Sequence, residues 1–246
     1  MKNIVFIGSS IVAGNFGVDW ISKLPVKNGV KYHNYGINGA QVPTVINFVK
    51  SNRINFVPYA VIIMVGGNDV TNSVPIKKYG GFSMQRDGRL QTNSTRYGEE
   101  MEELFQLIVS KWGELPIGVF NLKPHSEDVH GKLNKIVEEF NASLVQRIQQ
   151  RTNVTLIDMY TPLITSLQNR TPSPRADDIE YVVDVGRMLY VFIMRYLTFG
   201  YYSQNDFSEA RGFYLFCDGL HFNERAAAIV LKSIEPFLTK LLATDN

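Results

Sequence analysis

At 246 residues the chain is long enough to bury a substantial apolar core, and it fits one domain spanning residues 1–246. Its 25 Lys and Arg against 23 Asp and Glu leave a formal net charge of +2, which gives no electrostatic basis for binding nucleic acid or an anionic membrane. Cys217 is the sole cysteine, excluding an intrachain disulfide and a thiolate metal cage, and His33, His125, His130 and His221 lack metal-ligand spacing, so no structural metal is expected.

The first segment, "MKNIVFIG", reads as a strand and not as a basic stretch leading an apolar leader, so an intracellular, cytoplasmic protein is expected. Strands are predicted at residues 3–7, 31–35, 59–65, 116–122 and 154–158. "AVIIMV", "IGVFNL" and "VTLID" are continuously apolar, as strands buried on both faces of a parallel sheet are. Helices are predicted at residues 18–24, 43–51, 96–112 and 132–150, the last two with apolar residues at helical spacing. Strand and helix alternate, so the expected class is α/β, a doubly wound sheet covered by helices.

Two insertions interrupt the alternation, one around residues 70–95 and one around 164–214. The first is polar and Gly-containing, suited to a lid or to a mobile loop. The second contains "YVVDVGRMLYVFIMRYLTFGYY", which carries Asp184, Arg187 and Arg195 and is therefore not expected to span a bilayer. A helix packed on the core or surface is the favoured reading of it. The other is a substrate cap, in which Tyr190, Phe192, Phe199, Tyr201, Tyr202, Phe213 and Tyr214 would form an aromatic wall.

Short motifs follow the first three strands: Gly8-Ser9-Ser10, then "NYGINGAQ", then "VGGNDV". Ligands of open α/β sheets bind beyond the carboxyl ends of the strands, where strand order reverses. With the first strand between the second and third, the Ser10 hydroxyl, the Gly39 N–H and the Asn68 amide become neighbours, a nucleophile beside two oxyanion donors. A serine needs a base, and "CDGLHFNERAAAIV" supplies one near the other end of the chain. Asp218 precedes His221 by three residues, so its carboxylate can fold onto one imidazole nitrogen and leave the other to face Ser10. Asn223 is placed to cap the following helix. Cys217 is read as a packing residue, and His125 and His130 as polar loop residues beside the fourth strand.

The chain resembles the SGNH hydrolases, also called the GDSL esterase and lipase superfamily, whose signature Ser, Gly, Asn and His match Ser10, Gly39, Asn68 and His221. Gly14, Trp20 and Leu24 extend the first block in the same manner. The resemblance implies a three-layer α/β/α sandwich with a flavodoxin-like, five-stranded parallel sheet ordered 2-1-3-4-5. It implies Ser10 as nucleophile and backbone oxyanion donor, Gly39 and Asn68 as the other donors, His221 as base and Asp218 as its orienting acid. It further implies a small-molecule ester substrate and no metal or organic cofactor. Three alternatives stand beside a carboxylic ester hydrolase: a carbohydrate O-acetylesterase, an acyltransferase, and a silent binding protein on the same scaffold. Ser9 occupies the place of the family's Asp, so an altered turn is expected there, with the Ser9 side chain still able to bond backbone groups.

Overall fold

The computed structural model describes residues 1–74, 92–198 and 200–243. The five apolar runs form strands β1 Lys2–Gly8, β2 Val30–Gly36, β3 Ala60–Met64, β4 Ile117–Phe120 and β5 Val154–Ile157. Around them lie α1 Ser10–Ala13, α2 Val42–Lys50, α3 Gly67–Ser73, α4 Ser94–Trp112, α5 Lys132–Ile148, α6 Tyr160–Leu167, α7 Ile179–Val182, α8 Val185–Leu197, α9 Gln204–Glu209 and α10 Glu224–Ala243.

The sheet has the order β2-β1-β3-β4-β5 with every pairing parallel, the order implied by the resemblance. Pleating divides the strand residues between two cores. Ile4, Phe6, Ala60, Ile62 and Met64 pack with Trp20, α6 and α10, whereas Val5, Ile7, Val61 and Ile63 pack with α2, α4 and α5. All five residues of β3 are buried for this reason, which explains why its sequence carries no polar alternation.

The register matters most at the carboxyl ends. Gly8 of β1 is level with Gly36 of β2 and Met64 of β3, so the segments leaving these strands emerge at one edge of the sheet. This is the place where the strand order reverses direction about β1, and where the three short motifs were expected to meet.

Two expectations are corrected. Of the helix predicted at residues 18–24, only a 3-10 turn at Ile21–Lys23 forms. The Val18 N–H is drawn out to the Phe222 carbonyl at 2.9 Å, and Asp19 Oδ1 starts the turn by accepting from the Ser22 N–H. Tertiary pairing therefore overrides helical spacing in this short stretch. The aromatic segment of the second insertion is also not one helix: Asp184 accepts from the Arg187 N–H and caps α8, separating it from α7. Met188 and Val191 of α8 are buried, while Leu189, Tyr190, Phe192, Ile193, Tyr196 and Leu197 are exposed, so α8 is a surface helix. No helix among the described residues is long and apolar enough to cross a membrane. Most of the first insertion, residues 75–91, lies outside the described residues.

Candidate active site

β1 runs into α1 through a turn that only glycine permits. A Cβ on Gly8 would stand 2.1 Å from the Met64 carbonyl oxygen, the same oxygen that accepts from the Ser9 N–H at 3.2 Å. Ser9 is the extended N-cap of α1, and its carbonyl accepts from the Val12 and Ala13 N–H groups. Its side chain is able to bond backbone groups but makes no capping bond, so the backbone holds the turn. Ser10 opens α1, where the first-turn N–H groups have no acceptor inside the helix.

The Ser10 Oγ lies 2.8 Å from His221 Nε2, and His221 Nδ1 lies 2.6 Å from Asp218 Oδ2. With the carboxylate accepting from Nδ1–H, Nε2 is left with a lone pair facing the serine hydroxyl. The other carboxylate oxygen, Oδ1, accepts from the Leu220 and His221 N–H groups at 2.9 and 2.8 Å. Asp218 has no exposed surface, and burial alone would raise its carboxyl; the His221 ring and these N–H bonds outweigh that and hold it below the usual carboxylate value. Asn223 caps α10 by accepting from the Ala226 N–H at 3.1 Å, as its position suggested.

The second and third motifs converge on the same edge. Gly39 has φ +73°, a left-handed conformation natural to glycine, in the turn that leaves β2. Asn68 sits in the first turn of α3, and its Nδ2 donates to the Ala40 carbonyl at 2.9 Å, tying the third motif to the residue beside Gly39. Its second amide hydrogen is not used by that bond. Asp69 lies beneath it, fully buried, with Oδ1 accepting from the Val42 N–H; desolvation and the nearby Glu100 push its carboxyl up to about 7.

Other sequence expectations fare differently. His125 is buried, its Nε2 held 2.9 Å from the Gly67 carbonyl, so it braces the Asn68 turn and does not line a cleft; desolvation drives its imidazole down to about 3. His130 is exposed. The Cys217 thiol is buried against the Phe16 carbonyl, and burial together with the Asp218 charge raises it well above the free-thiol value. Such a thiol stays protonated, in keeping with a packing residue. Most members of the aromatic wall, the less favoured reading of this segment, find partners elsewhere. Tyr190 and Tyr202 pack on Phe207, Phe213 packs on Tyr181, and the guanidinium groups of Arg170 and Arg225 both stack on Tyr214. Phe199 lies outside the described residues. Among the described members, Phe192 packs on Phe16, its ring centroid 5.7 Å away, and the Phe16 ring is 5.3 Å from that of His221.

Four side chains escaped the sequence reading. Phe16 flanks the imidazole, and the buried Glu127 and Arg211 bond the backbone around Asp218, with no local spacing to announce any of them. Lys123 is buried as well, with Nζ donating to the Pro124 carbonyl and 4.1 Å above the Phe216 ring. Desolvation brings its ammonium group down to about 7 against the pull of Asp218 and Glu127. Among the described residues no group of three or more His, Cys, Asp or Glu could hold a metal ion.

Solved structures share this architecture. A lipolytic protein of the G-D-S-L family from Veillonella parvula superposes with a TM-score of 0.60 at 17% identity, covering 98% of this chain and 100% of its own. The acetylxylan esterase Axe2 from Geobacillus stearothermophilus gives a TM-score of 0.62 at 15% identity, with 98% and 94% covered. An α/β hydrolase from the metagenome of Lake Arreo, Spain, gives 0.60 at 12% identity, with 100% and 97% covered. At these identities the likeness concerns the fold. No curated protein matches the sequence significantly. The family description GDSL-like Lipase/Acylhydrolase matches residues 4–234, nearly the whole chain and all of the residues converging beyond β1, β2 and β3. The protein is thus a member of the GDSL-like lipase/acylhydrolase family, the SGNH hydrolase superfamily.

Proposed function

We propose that the protein is a serine hydrolase that cleaves carboxylic esters of small or medium acyl chain through an acyl intermediate on Ser10. The observation that carries this reading is the continuous array Ser10 Oγ, His221, Asp218, with 2.8 and 2.6 Å between successive partners and all three residues buried. Asp218 fixes the tautomer, so Nε2 takes the hydroxyl proton as Oγ attacks the acyl carbonyl. The resulting oxyanion is met by the N–H groups of Ser10 and Gly39 and by the spare amide hydrogen of Asn68. His221 then passes its proton to the leaving alcohol, and a water attacks the acyl group with His221 again as base.

The side of the site on which the alcohol departs follows from this proton path. The leaving oxygen must lie near His221 Nε2; Phe16 packs against that ring, and Phe192 packs in turn on Phe16. An apolar wall there favours esters of apolar or aromatic alcohols over those of small polar ones. An acetylated carbohydrate is the second reading, suggested by the shared fold with an acetylxylan esterase. Aryl esters graded in acyl length, tested beside acetylated xylo-oligosaccharides and alcohol acceptors, separate these readings. Turnover of aryl esters that is lost in folded Ser10→Ala supports the ester hydrolase; turnover confined to the acetylated sugar supports the deacetylase; and ester products with added alcohol support transfer. A wild type inert toward all of these would favour a silent scaffold.

A further inference from the structure

The loop that carries Asp218 and His221 is held by more than its own residues. Cys217 N–H donates to the His221 carbonyl, Phe216 and Phe222 form an antiparallel bridge, and the Asn223 N–H and Nδ2 bond the carbonyls of Leu215 and Tyr214. Two buried charges from elsewhere complete the frame. Glu127, in the segment after β4, spends both carboxylate oxygens on three successive backbone donors: Oε2 accepts from the Tyr214 N–H at 2.6 Å, and Oε1 from the Leu215 and Phe216 N–H groups at 2.7 and 3.2 Å. Arg211 reaches the other end of the loop, with Nη1 donating to the Asp218 carbonyl at 2.7 Å and Nη2 to the Tyr181 carbonyl at 2.8 Å. Its guanidinium lies 4.1 Å from the Tyr181 ring centroid, which fixes its plane.

We propose that Glu127 and Arg211 are positioning residues that clamp the Asp218–His221 loop from both ends and so set the distance between His221 and Ser10. The inference rests on the reading of Asp218 and His221 as acid and base. Burying two charges is costly, and the charge-assisted hydrogen bonds each makes to backbone groups offset part of that cost. Neither touches Ser10, His221 or the Asp218 carboxylate, so their action passes through the backbone. Arg211 also gives the second insertion a task, since it joins α7 at Tyr181 to the carbonyl of Asp218. Lys123 lies close enough to both Glu127 and Asp218 to attract them, which favours the ionised form of Glu127 while burial opposes it.

The test compares wild type with Glu127→Gln and Arg211→Met. The carboxamide of Gln presents an N–H₂ to a backbone N–H that now meets an oxygen, and Met keeps bulk without a donor. Three readouts are taken: kcat and KM on an aryl ester, the thermal melt, and the far-downfield proton resonance of the His221 Nδ1–H bond to Asp218. Misplacement of about 1 Å costs roughly 100-fold, so a fall in kcat of about 10- to 100-fold with KM within about twofold is expected in folded protein, with the downfield resonance shifted or broadened. A merely structural role would lower the melt and leave both the resonance and kcat of the folded fraction unchanged, which would overturn the clamp. Should either variant not fold, hydrogen exchange on wild type decides: the amides of Tyr214, Leu215 and Phe216 are expected to exchange as slowly as those of β1 and β3, and fast exchange contradicts the proposal. A wild type inert toward esters would count against the proposed function alone, since the resonance and the exchange rates are read without substrate.

Discussion

His221 Nε2 stands 2.8 Å from Ser10 Oγ although 211 positions separate the two residues in the chain. The contact exists because β1 occupies the interior of the sheet and the segment before α10 returns to its carboxyl end. The Val18 N–H bond to the Phe222 carbonyl fastens the two segments together just beyond it.

In the proposed mechanism Asn68 acts on the oxyanion and not on the resting ester. Asn68→Ala is expected to lower kcat by about 100- to 1,000-fold while KM changes little. The lost bond to the Ala40 carbonyl is worth only about 1 kcal/mol, so the fold should survive, as a thermal melt would show. Full turnover in the folded variant would remove Asn68 from the mechanism.

Asp218→Asn keeps the shape of the side chain and removes the acceptor that selects the His221 tautomer. A loss in kcat on the order of 10⁴ is expected. The same substitution alters acid stability. Because the folded-state value of Asp218 is depressed, its contribution is present above the unfolded value of about 3.9 and is lost as pH falls through the lower folded value. Wild type should therefore lose more stability than Asp218→Asn over that acid window, measured by urea unfolding.

Lys123 makes the opposite end of the pH scale informative. Its ammonium is lowered to about 7 in the folded chain, whereas unfolded lysine keeps its proton to about 10.4. Above about 7 the unfolded state binds more protons, so this group makes stability rise with pH, by at most about 1.4 kcal/mol per unit. Unfolding free energies from about pH 7.5 to 8.5 should climb in wild type and flatten in Lys123→Met. Equal slopes would show that Lys123 is charged throughout.

Phe192 tests the leaving-group wall. Phe192→Ala should reduce kcat/KM by several-fold for acetate esters of bulky apolar alcohols and leave small-alcohol esters within about twofold, given the roughly 1–3 kcal/mol scale of apolar pocket contacts. An equal effect on both series would place the alcohol elsewhere.

Much of this was readable in the chain because it is local or periodic. Continuous apolar runs marked the strands, and Asp218-x-x-His221 closes within one loop, so sequence separation did not hide it. The family signature supplied the rest of the array. What sequence missed depends on distant partners: Glu127 meets residues 87 to 89 positions away, and nothing near Glu127 specifies three backbone donors. The helix expected at residues 18–24 failed because a backbone bond to Phe222 outweighed propensity. The alternative reading of an aromatic wall lost most of its described members because aromatic residues near one another in sequence packed on Phe207, Tyr181 and two arginines.

The most direct measurement is the site of acylation. Wild type is incubated briefly with an aryl acetate, quenched in acid, digested and analysed by mass spectrometry. One acetyl group on the Ser10 hydroxyl, absent from Ser10→Ala, is the expected result. Hydrolysis that persists in Ser10→Ala, or acetyl carried on another residue during turnover, would contradict the account.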